Sequence, residues 1–260
     1  MSINPDIFNS KNTIIPYFTY SDPNPEFTEL LVSRAFDSGA SIIEIGIPFS
    51  ESLADGPVIQ NSHFRALSKN KINFLESALK MVSRISSNRS DRPIVFMAAY
   101  NLILQFGLDL FFQNAQKSGL AGIIIPDLPY ELSLNIRELA QSYNVDLILL
   151  VTPQSSDQRI ESIVSASSGF VYVVSTTGVT GVLSELSVDL PSLIDKVKRV
   201  SSIPVAVGFG ISTREQVVTV NQYVDAAIIG SALVKRLDSA SDNPELTLDS
   251  ISNLITDLIS

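Results

Sequence analysis

Eight short apolar segments, separated by segments with helical periodicity, constrain the fold of this 260-residue chain more than any other feature. These segments are rich in Val, Ile and Phe and lie at 13–19, 41–46, 93–100, 122–127, 146–152, 170–175, 203–210 and 225–231. Near-continuous apolar segments of this length are typical of strands that are buried on both faces of a parallel sheet. We therefore interpret them as eight parallel strands.

The intervening segments have the spacing of amphipathic helices. In the first, Phe27, Leu31 and Ala35 share one face, Pro25 lies near the start, and Gly39 follows the end. Further helices are predicted after Pro57 and at 108–119, 132–143, 156–167, 190–200, 213–222 and 246–259. Strand and helix alternate eight times, which predicts an α/β fold of the (β/α)8 TIM barrel type. An open, doubly wound sheet is the alternative, but it predicts a G-x-G-x-x-G turn, and the sequence contains none.

Composition gives no reason to divide the chain. Hydrophobic residues make up 45% and charged residues 17%, as in ordinary folded proteins, and no linker or low-complexity segment interrupts the pattern. We expect residues 1–260 to form a single barrel domain. A short N-terminal helix at residues 3–9 is predicted to cover the bottom of the barrel, with a loose N-terminus as the alternative.

Several functional classes are excluded by residue counts. The net charge of −9 argues against nucleic-acid binding, and the absence of cysteine excludes disulfides and thiolate sites. A two-histidine metal site is excluded because His63 is the single histidine, so we expect neither a metal nor another cofactor. No apolar segment has the length of a bilayer span, and the N-terminus lacks a signal-peptide pattern. We expect a protein that acts in the cytoplasm, or in the plastid stroma if it is plastid-encoded.

Two acids mark the end of the second predicted strand. Glu44 lies within the apolar segment 41–46, and Asp55 follows on the loop after it. A carboxylate among β-branched apolar residues is costly unless it is hydrogen-bonded or functional. The alternative for Glu44 is a satisfied polar group at a strand end, but the pair of acids favours proton-transfer chemistry.

The active site of a barrel lies at the carboxyl ends of its strands. That rule selects Tyr17, Glu44, Asp55, Tyr100, Asn101, Asp127, Thr152, Tyr172, Thr180, Phe209 and Ser231. Glycine-containing turns at 177–181, 208–212 and 230–231 follow the last three strands, where backbone N–H groups can approach an anion closely. Since barrels commonly bind phosphate after strands seven and eight, these turns predict a phosphate site.

Other residues limit the chemistry further. None of the eight lysines lies in a predicted strand or at its carboxyl end, so Schiff-base catalysis is disfavoured. His63, on the helix after Pro57, is expected to pack or to face solvent rather than to act in catalysis. Tyr172 is either a site residue or barrel filling. Asp127 caps a helix, holds a loop, hydrogen-bonds Thr180 or positions an active-site loop. Phe209 is interpreted as a lid or pocket wall.

Six motifs occur along the chain in one order: Glu44-Ile-Gly-Ile-Pro-Phe-Ser, Leu53-Ala-Asp-Gly-Pro-Val-Ile-Gln60, Pro126-Asp-Leu-Pro129, Ser175-x-x-Gly-Val-Thr-Gly181, Gly208-Phe-Gly-Ile-Ser212 and Gly230-Ser-Ala232. In these motifs the chain resembles the family of tryptophan synthase alpha subunits. The resemblance implies a (β/α)8 lyase that cleaves indole-3-glycerol phosphate to indole and glyceraldehyde 3-phosphate. It also implies a β-subunit partner, in an α2β2 tetramer, that receives the indole.

The resemblance also implies residue roles. Asp55 accepts the indole N–H, while Glu44 moves protons between C3 of the indole and the glycerol hydroxyl. The enclosed Glu44 is expected to have a raised pKa, and Asp55, on a loop, is expected to stay ionised. Pocket positions around the indole correspond to Tyr17, Tyr172 and Phe209. The loop that closes the site corresponds to Thr180 and Gly181, and the phosphate cradle to Gly210, Gly230 and Ser231.

Two segments depart from the family pattern. The family usually reads Ser-Asp-Pro-Leu-Ala-Asp where this chain has Ser50-Glu-Ser-Leu-Ala-Asp55, in a loop that contacts the β subunit. The segment Ala98-Ala-Tyr-Asn101 differs at one pocket wall. Two alternatives to the lyase subunit therefore stay open from the sequence: a catalytically weak subunit that activates the β subunit, and a stand-alone lyase that releases indole.

Overall fold

Parallel strands form a barrel in the computed structural model, which describes residues 2–52, 55–174, 190–208 and 210–260. The strand segments are β1 Ile14–Thr19, β2 Ile43–Gly46, β3 Ile94–Met97, β4 Gly122–Ile124, β5 Asp146–Ile148, β6 Leu150–Val151, β7 Val171–Val174, β8 Val205–Gly208 and β9 Ala226–Ile229. Their order in the sheet is β5-β4-β3-β2-β1-β9-β8-β7-β6, and every pairing is parallel.

The fifth barrel strand is split at Leu149. Its first segment, β5, pairs with β4, and its second segment, β6, pairs with β7. Because β5 and β6 follow each other directly in the chain, the nine segments make eight strand positions that close on themselves. This arrangement confirms the predicted (β/α)8 barrel and rules out the open, doubly wound sheet.

Helices surround the barrel. Within the described residues they are α1 Pro25–Asp37, α2 Pro57–Lys69, α3 Phe74–Asn88, α4 Tyr100–Phe106, α5 Leu108–Ser118, α6 Tyr130–Ser142, α7 Asp157–Ala166, α8 Leu190–Val200, α9 Arg214–Val220, α10 Ser231–Val234 and α11 Pro244–Ile259. Two 3-10 helices, η1 Pro5–Asn9 and η2 Lys235–Ser239, complete the set. None of the helices in the described ranges combines the length and the apolar character that a membrane crossing requires.

Side-chain alternation along the strands separates two apolar layers. Ile43 and Ile45 of β2 pack outward against the helices, whereas Ile42 points into the barrel. The interior cluster also contains Phe170, which the ring of Phe8 contacts with centroids 6.0 Å apart. The lower interior is therefore filled with apolar side chains, and polar groups lie nearer the carboxyl ends of the strands.

Candidate active site

Tyr17 and Glu44 lie side by side at the carboxyl ends of β1 and β2. The strand register pairs their Cα atoms directly, so both side chains point into the barrel. Tyr17 is 3% exposed and Glu44 is fully buried. Successive side chains of a strand point to opposite faces. Because Ile43 and Ile45 pack outward against the helices, Glu44 between them points into the cavity.

The carboxyl group of Glu44 is buried in the barrel. Neither of its carboxyl oxygens has a partner among the described residues. Burial, together with the negative charge of Asp55, raises the pKa of Glu44 to about 8. At neutral pH the carboxyl group is therefore largely protonated and can donate a proton to a molecule in the cavity. A satisfied strand-end carboxylate, the alternative reading of Glu44, is contradicted by its two unpartnered oxygens.

Asp55 lies on the loop just before α2. The side-chain amide of Gln60 donates to the backbone carbonyl oxygens of Asp55 (2.8 Å) and Ser52 (3.3 Å) and so holds this loop against the helix. The Asp55 side chain is only 16% exposed, and burial raises its pKa to about 6. The carboxylate is ionised at neutral pH, as expected, but its pKa is higher than a loop position suggests.

His63 is buried and lines the cavity, so of the two expected environments, packing and solvent exposure, the structure confirms packing. It is 5% exposed, and its Nε2 atom lies 3.1 Å from the Tyr17 hydroxyl and 3.6 Å from an Asp55 carboxylate oxygen. Burial lowers the pKa of His63 to about 4, so the imidazole is neutral at pH 7. The sequence places His63 eight residues after Asp55, on the following helix, but its contacts form only where strand, loop and helix meet.

Two glycines make room for the tyrosines. A Cβ atom at Gly46 would approach ring carbons of Tyr17 to 2.6 and 2.8 Å, and one at Gly208 would approach Tyr172 ring carbons to 2.8 Å. Tyr172 is 5% exposed and belongs to the interior cluster of the barrel, yet it also lines the cavity. Tyr172 therefore fills the barrel interior and also forms part of the cavity wall, so its position fits both alternatives.

The cavity at this end of the barrel has a volume of about 1260 Å³. It brings together Tyr17, Glu44, Asp55, Tyr172, Gly210, Gly230 and Ser231. Ser231 begins α10 directly after β9, and Gly210 has a left-handed φ of 75°. Asn101 and Thr152 also line the cavity. Thr180, Gly181 and Phe209 lie outside the described residues.

Asp127 has a structural position at the edge of the cavity. Its carboxylate oxygen Oδ1 accepts the backbone N–H of Tyr100 at 2.8 Å, at the first residue of α4. An acidic group there satisfies a free N–H and is favoured by the helix dipole. This is the helix-capping role that the sequence left open, and Tyr100 contributes its backbone to it.

Comparison with known proteins gives consistent similarities over nearly the whole chain. A family model described as "Tryptophan synthase alpha chain" matches residues 6–258. The tryptophan synthase alpha chain of Geobacillus stearothermophilus is 42% identical over 242 residues, which cover 93% of this chain and 87% of that relative.

Solved structures of tryptophan synthases have the same fold as this chain. The tryptophan synthase α2β2 complex from the hyperthermophile Pyrococcus furiosus matches with a TM-score of 0.87 and 34% identity, over 96% of this chain and 98% of that chain. Mycobacterium tuberculosis tryptophan synthase matches with a TM-score of 0.88 and 32% identity, over 100% and 98%. Sequence and fold are thus both similar to tryptophan synthase proteins over nearly the whole chain.

Proposed function

This chain belongs to the tryptophan synthase alpha chain family, and from that premise we propose that Glu44 and Asp55 perform its bond cleavage. The alpha chain of tryptophan synthase is the indole-3-glycerol-phosphate lyase subunit, so the chain is a carbon–carbon lyase of tryptophan biosynthesis. One observation carries the residue assignment: the carboxyl groups of Glu44 and Asp55 face the same cavity, and burial raises their pKa values to about 8 and about 6, on either side of neutral pH. Acid/base chemistry at neutral pH needs such a pair.

The first half of the reaction prepares the indole ring to leave. Glu44 donates its proton to C3 of the indole ring, and the indole N–H proton passes to the Asp55 carboxylate. The product of this step is a neutral 3H-indole that still carries the glycerol phosphate side chain. Because Asp55 is ionised above a pKa of about 6, it can accept the proton at neutral pH.

The second half breaks the carbon–carbon bond. The Glu44 carboxylate takes the proton of the hydroxyl group next to the ring, and that carbon becomes the aldehyde of glyceraldehyde 3-phosphate. The electrons of the broken bond return to the ring, and the ring nitrogen recovers its proton from Asp55. Each acid ends in its starting state, so no other reactant is consumed.

Substrate orientation follows from the walls of the cavity. Tyr17 and Tyr172 line the cavity as aromatic walls for the indole, and both are almost fully buried. Gly210, Gly230 and Ser231 form the phosphate cradle of this proposal, with backbone N–H groups as donors. Thr180, Gly181 and Phe209 complete it on the strength of the family resemblance.

We further propose that the chain assembles with a β subunit, as the named α2β2 complex of Pyrococcus furiosus does. Ser52 and Glu51 replace the residues usual in the loop that contacts that partner in the family. Gel filtration with the cognate β subunit tests this: we expect a larger complex, and no change in mass at micromolar concentration would refute it. Bacterial relatives such as that of Geobacillus stearothermophilus support a cytoplasmic location.

The lyase activity is tested by product analysis. Purified protein given indole-3-glycerol phosphate should release indole, followed by absorbance, and glyceraldehyde 3-phosphate, followed with a coupled dehydrogenase, in equal amounts. Release of neither product would refute the proposal. A β subunit that is activated by an alpha chain unable to release indole would instead support the catalytically weak alternative.

A further inference from the structure

His63 presents one defined hydrogen-bond donor to the site. Its Nδ1 atom accepts the backbone N–H of Phe49 at 3.1 Å, and a ring nitrogen that accepts carries no proton. The proton of the neutral imidazole is therefore on Nε2, which faces Tyr17 and Asp55. The backbone of the loop after β2 thus sets the tautomer of a side chain on α2.

The Nε2–H group lies between two acceptors. It is 3.1 Å from the Tyr17 hydroxyl oxygen and 3.6 Å from Oδ2 of Asp55. At 3.1 Å the contact with Tyr17 is a hydrogen bond, whereas 3.6 Å is too long for a hydrogen bond to Asp55. A movement of about 0.5 Å by the Asp55 carboxylate would bring it within hydrogen-bond distance.

The charge state of His63 decides what this contact can do. Because burial lowers its pKa to about 4, His63 does not form an ion pair with Asp55 at neutral pH. A cationic imidazole would neutralise the Asp55 carboxylate and compete with the indole N–H for it. A neutral donor instead fixes the direction of the carboxylate and leaves its negative charge available.

Resting on the proposed function, we propose that His63 is a positioning residue: as the Asp55 carboxylate closes on the substrate it moves into hydrogen-bond distance of Nε2, and the Nε2–H donated to it aims this carboxylate at the indole N–H. His63 contacts Asp55 and Tyr17 rather than the reacting atoms, so it acts through them. Three other titratable groups that line this cavity have a pKa raised by burial together with the negative charge of Asp55: Glu44, Tyr17 and Tyr172. The loop, the helix and the first strand meet at this imidazole.

A neighbouring contact provides a matched control. Ser62, the residue before His63, bonds through its hydroxyl to Thr19 of β1 and to the Ile59 carbonyl oxygen. This contact also fastens α2 to β1, but it does not reach Asp55. A variant at Ser62 therefore separates loss of helix attachment from loss of the donor to the carboxylate.

Two substitutions separate the two ring nitrogens. His63→Asn keeps an acceptor near the position of Nδ1 and removes the donor, whereas His63→Gln keeps a donor near the position of Nε2. For His63→Asn we expect kcat to fall about 10-fold with KM changed less than about 3-fold, since an aimed carboxylate acts in the transition state. The acid limb of the kcat profile should move up by about 0.5 to 1 pH unit, because loss of this donor in the substrate complex raises the pKa of Asp55.

His63→Gln should recover most of the rate and return the acid limb to within about 0.3 pH units of wild type. Ser62→Ala should leave the acid limb unchanged. Equal losses in the Asn and Gln variants, with no movement of the limb, would overturn the positioning role. A wild-type protein without lyase activity would refute the proposed function instead.

A spectroscopic measurement tests the tautomer without any assay of activity. The chain has one histidine, so imidazole nitrogen NMR of the untagged, 15N-labelled full-length protein reports His63 alone. We expect a neutral ring with the proton on Nε2 from pH 8 down to pH 6. A cationic ring at pH 7, or a proton on Nδ1, would overturn the inference even if the lyase is active.

Discussion

Among the single residues of the cavity, Glu44 carries a carboxyl group that the fold does not stabilise. Glu44 is fully buried, and its oxygens lack partners among the described residues. Burying such a group costs free energy, and burial accordingly favours its protonated form. This cost has a use, because the same burial that disfavours the Glu44 carboxylate keeps its proton in place at neutral pH.

Glu44→Gln should change how stability depends on pH. Folding raises the pKa of Glu44 from an ordinary 4.5 to about 8, so the folded state binds more protons between these values and stability falls as pH rises. The free energy of unfolding of wild type should therefore fall relative to that of the variant, by as much as roughly 1.4 kcal/mol per pH unit. Urea unfolding from pH 5 to 8 measures this difference.

Glu138→Gln, at an exposed position of α6, is the control for that comparison. It should follow wild type at every pH. A constant difference between Glu44→Gln and wild type across this range would mean that Glu44 ionises in the folded protein as it does in water.

The pH dependence of the reaction follows from the same pair of acids. In the proposed mechanism Asp55 has to be ionised, which fails below about pH 6, and Glu44 has to be protonated, which fails above about pH 8. We expect a bell-shaped profile of kcat/KM with limbs near these values, as macroscopic constants of the pair. Steady-state rates between pH 5 and 9.5 test it, and a flat profile across pH 5–7 would exclude the proposed role of Asp55.

At the element scale, the loop before α2 determines where Asp55 lies. Gln60 fastens it through the Asp55 and Ser52 carbonyl oxygens. Gln60→Ala should lower kcat about 10-fold to 100-fold, since small displacements of a catalytic group are costly, while leaving the far-UV circular dichroism spectrum unchanged. Gln158→Ala, at an exposed position of α7, should have the activity of wild type. Equal activity of the two variants would show that the loop needs no such attachment.

Strands were easier to predict than helices. Each of the eight apolar segments contains an observed strand, because burial on both faces leaves a continuous apolar signal. The helix α3 was missed even though Leu75, Leu79 and Val82 repeat at helical spacing after the capping residue Asn73. A (β/α)8 pattern assigns one helix to each strand, and α2 is already the helix after β2. The pattern therefore does not predict a second helix, α3, before β3.

The split at Leu149 and the position of His63 could not be predicted. A break in a strand depends on how the strand pairs with both neighbours, and the sequence carries only the apolar segment 146–152. The contacts of His63 join a strand, a loop and a helix, so they exist only after the barrel has closed. Burial then determines the pKa of His63, a three-dimensional property that residue identity alone does not give.

At the scale of the whole molecule, the first and last strands pair with each other. This pairing of β1 with β9 supports the proposal that residues 1–260 form one domain. The N-terminal residues cover the opposite end of the barrel from the cavity, where Asp146 accepts the Ile3 backbone N–H at 2.7 Å and Phe8 packs on Phe170. We therefore expect substitutions at the N-terminal end of the barrel to change stability and substitutions at the cavity end to change catalysis.

Phe8→Ala tests that separation. Removing the buried ring should lower the free energy of unfolding by about 3 kcal/mol, which is typical of a truncated core phenylalanine. KM for indole-3-glycerol phosphate should stay within about 2-fold of wild type, since no cavity wall is removed. Urea unfolding and steady-state kinetics test the two statements, and an unchanged stability would mean that the N-terminal residues do not close the barrel.

The proposed function rests on two buried acids of opposite protonation state that cleave indole-3-glycerol phosphate. The most direct measurement is single-turnover release of indole at pH 7 by wild type, Glu44→Gln and Asp55→Asn, each first shown to be folded. We predict rapid release by wild type and rates about 100-fold to 10,000-fold lower in each variant, the range for loss of a general acid or base. Release by either variant at the wild-type rate would contradict the account.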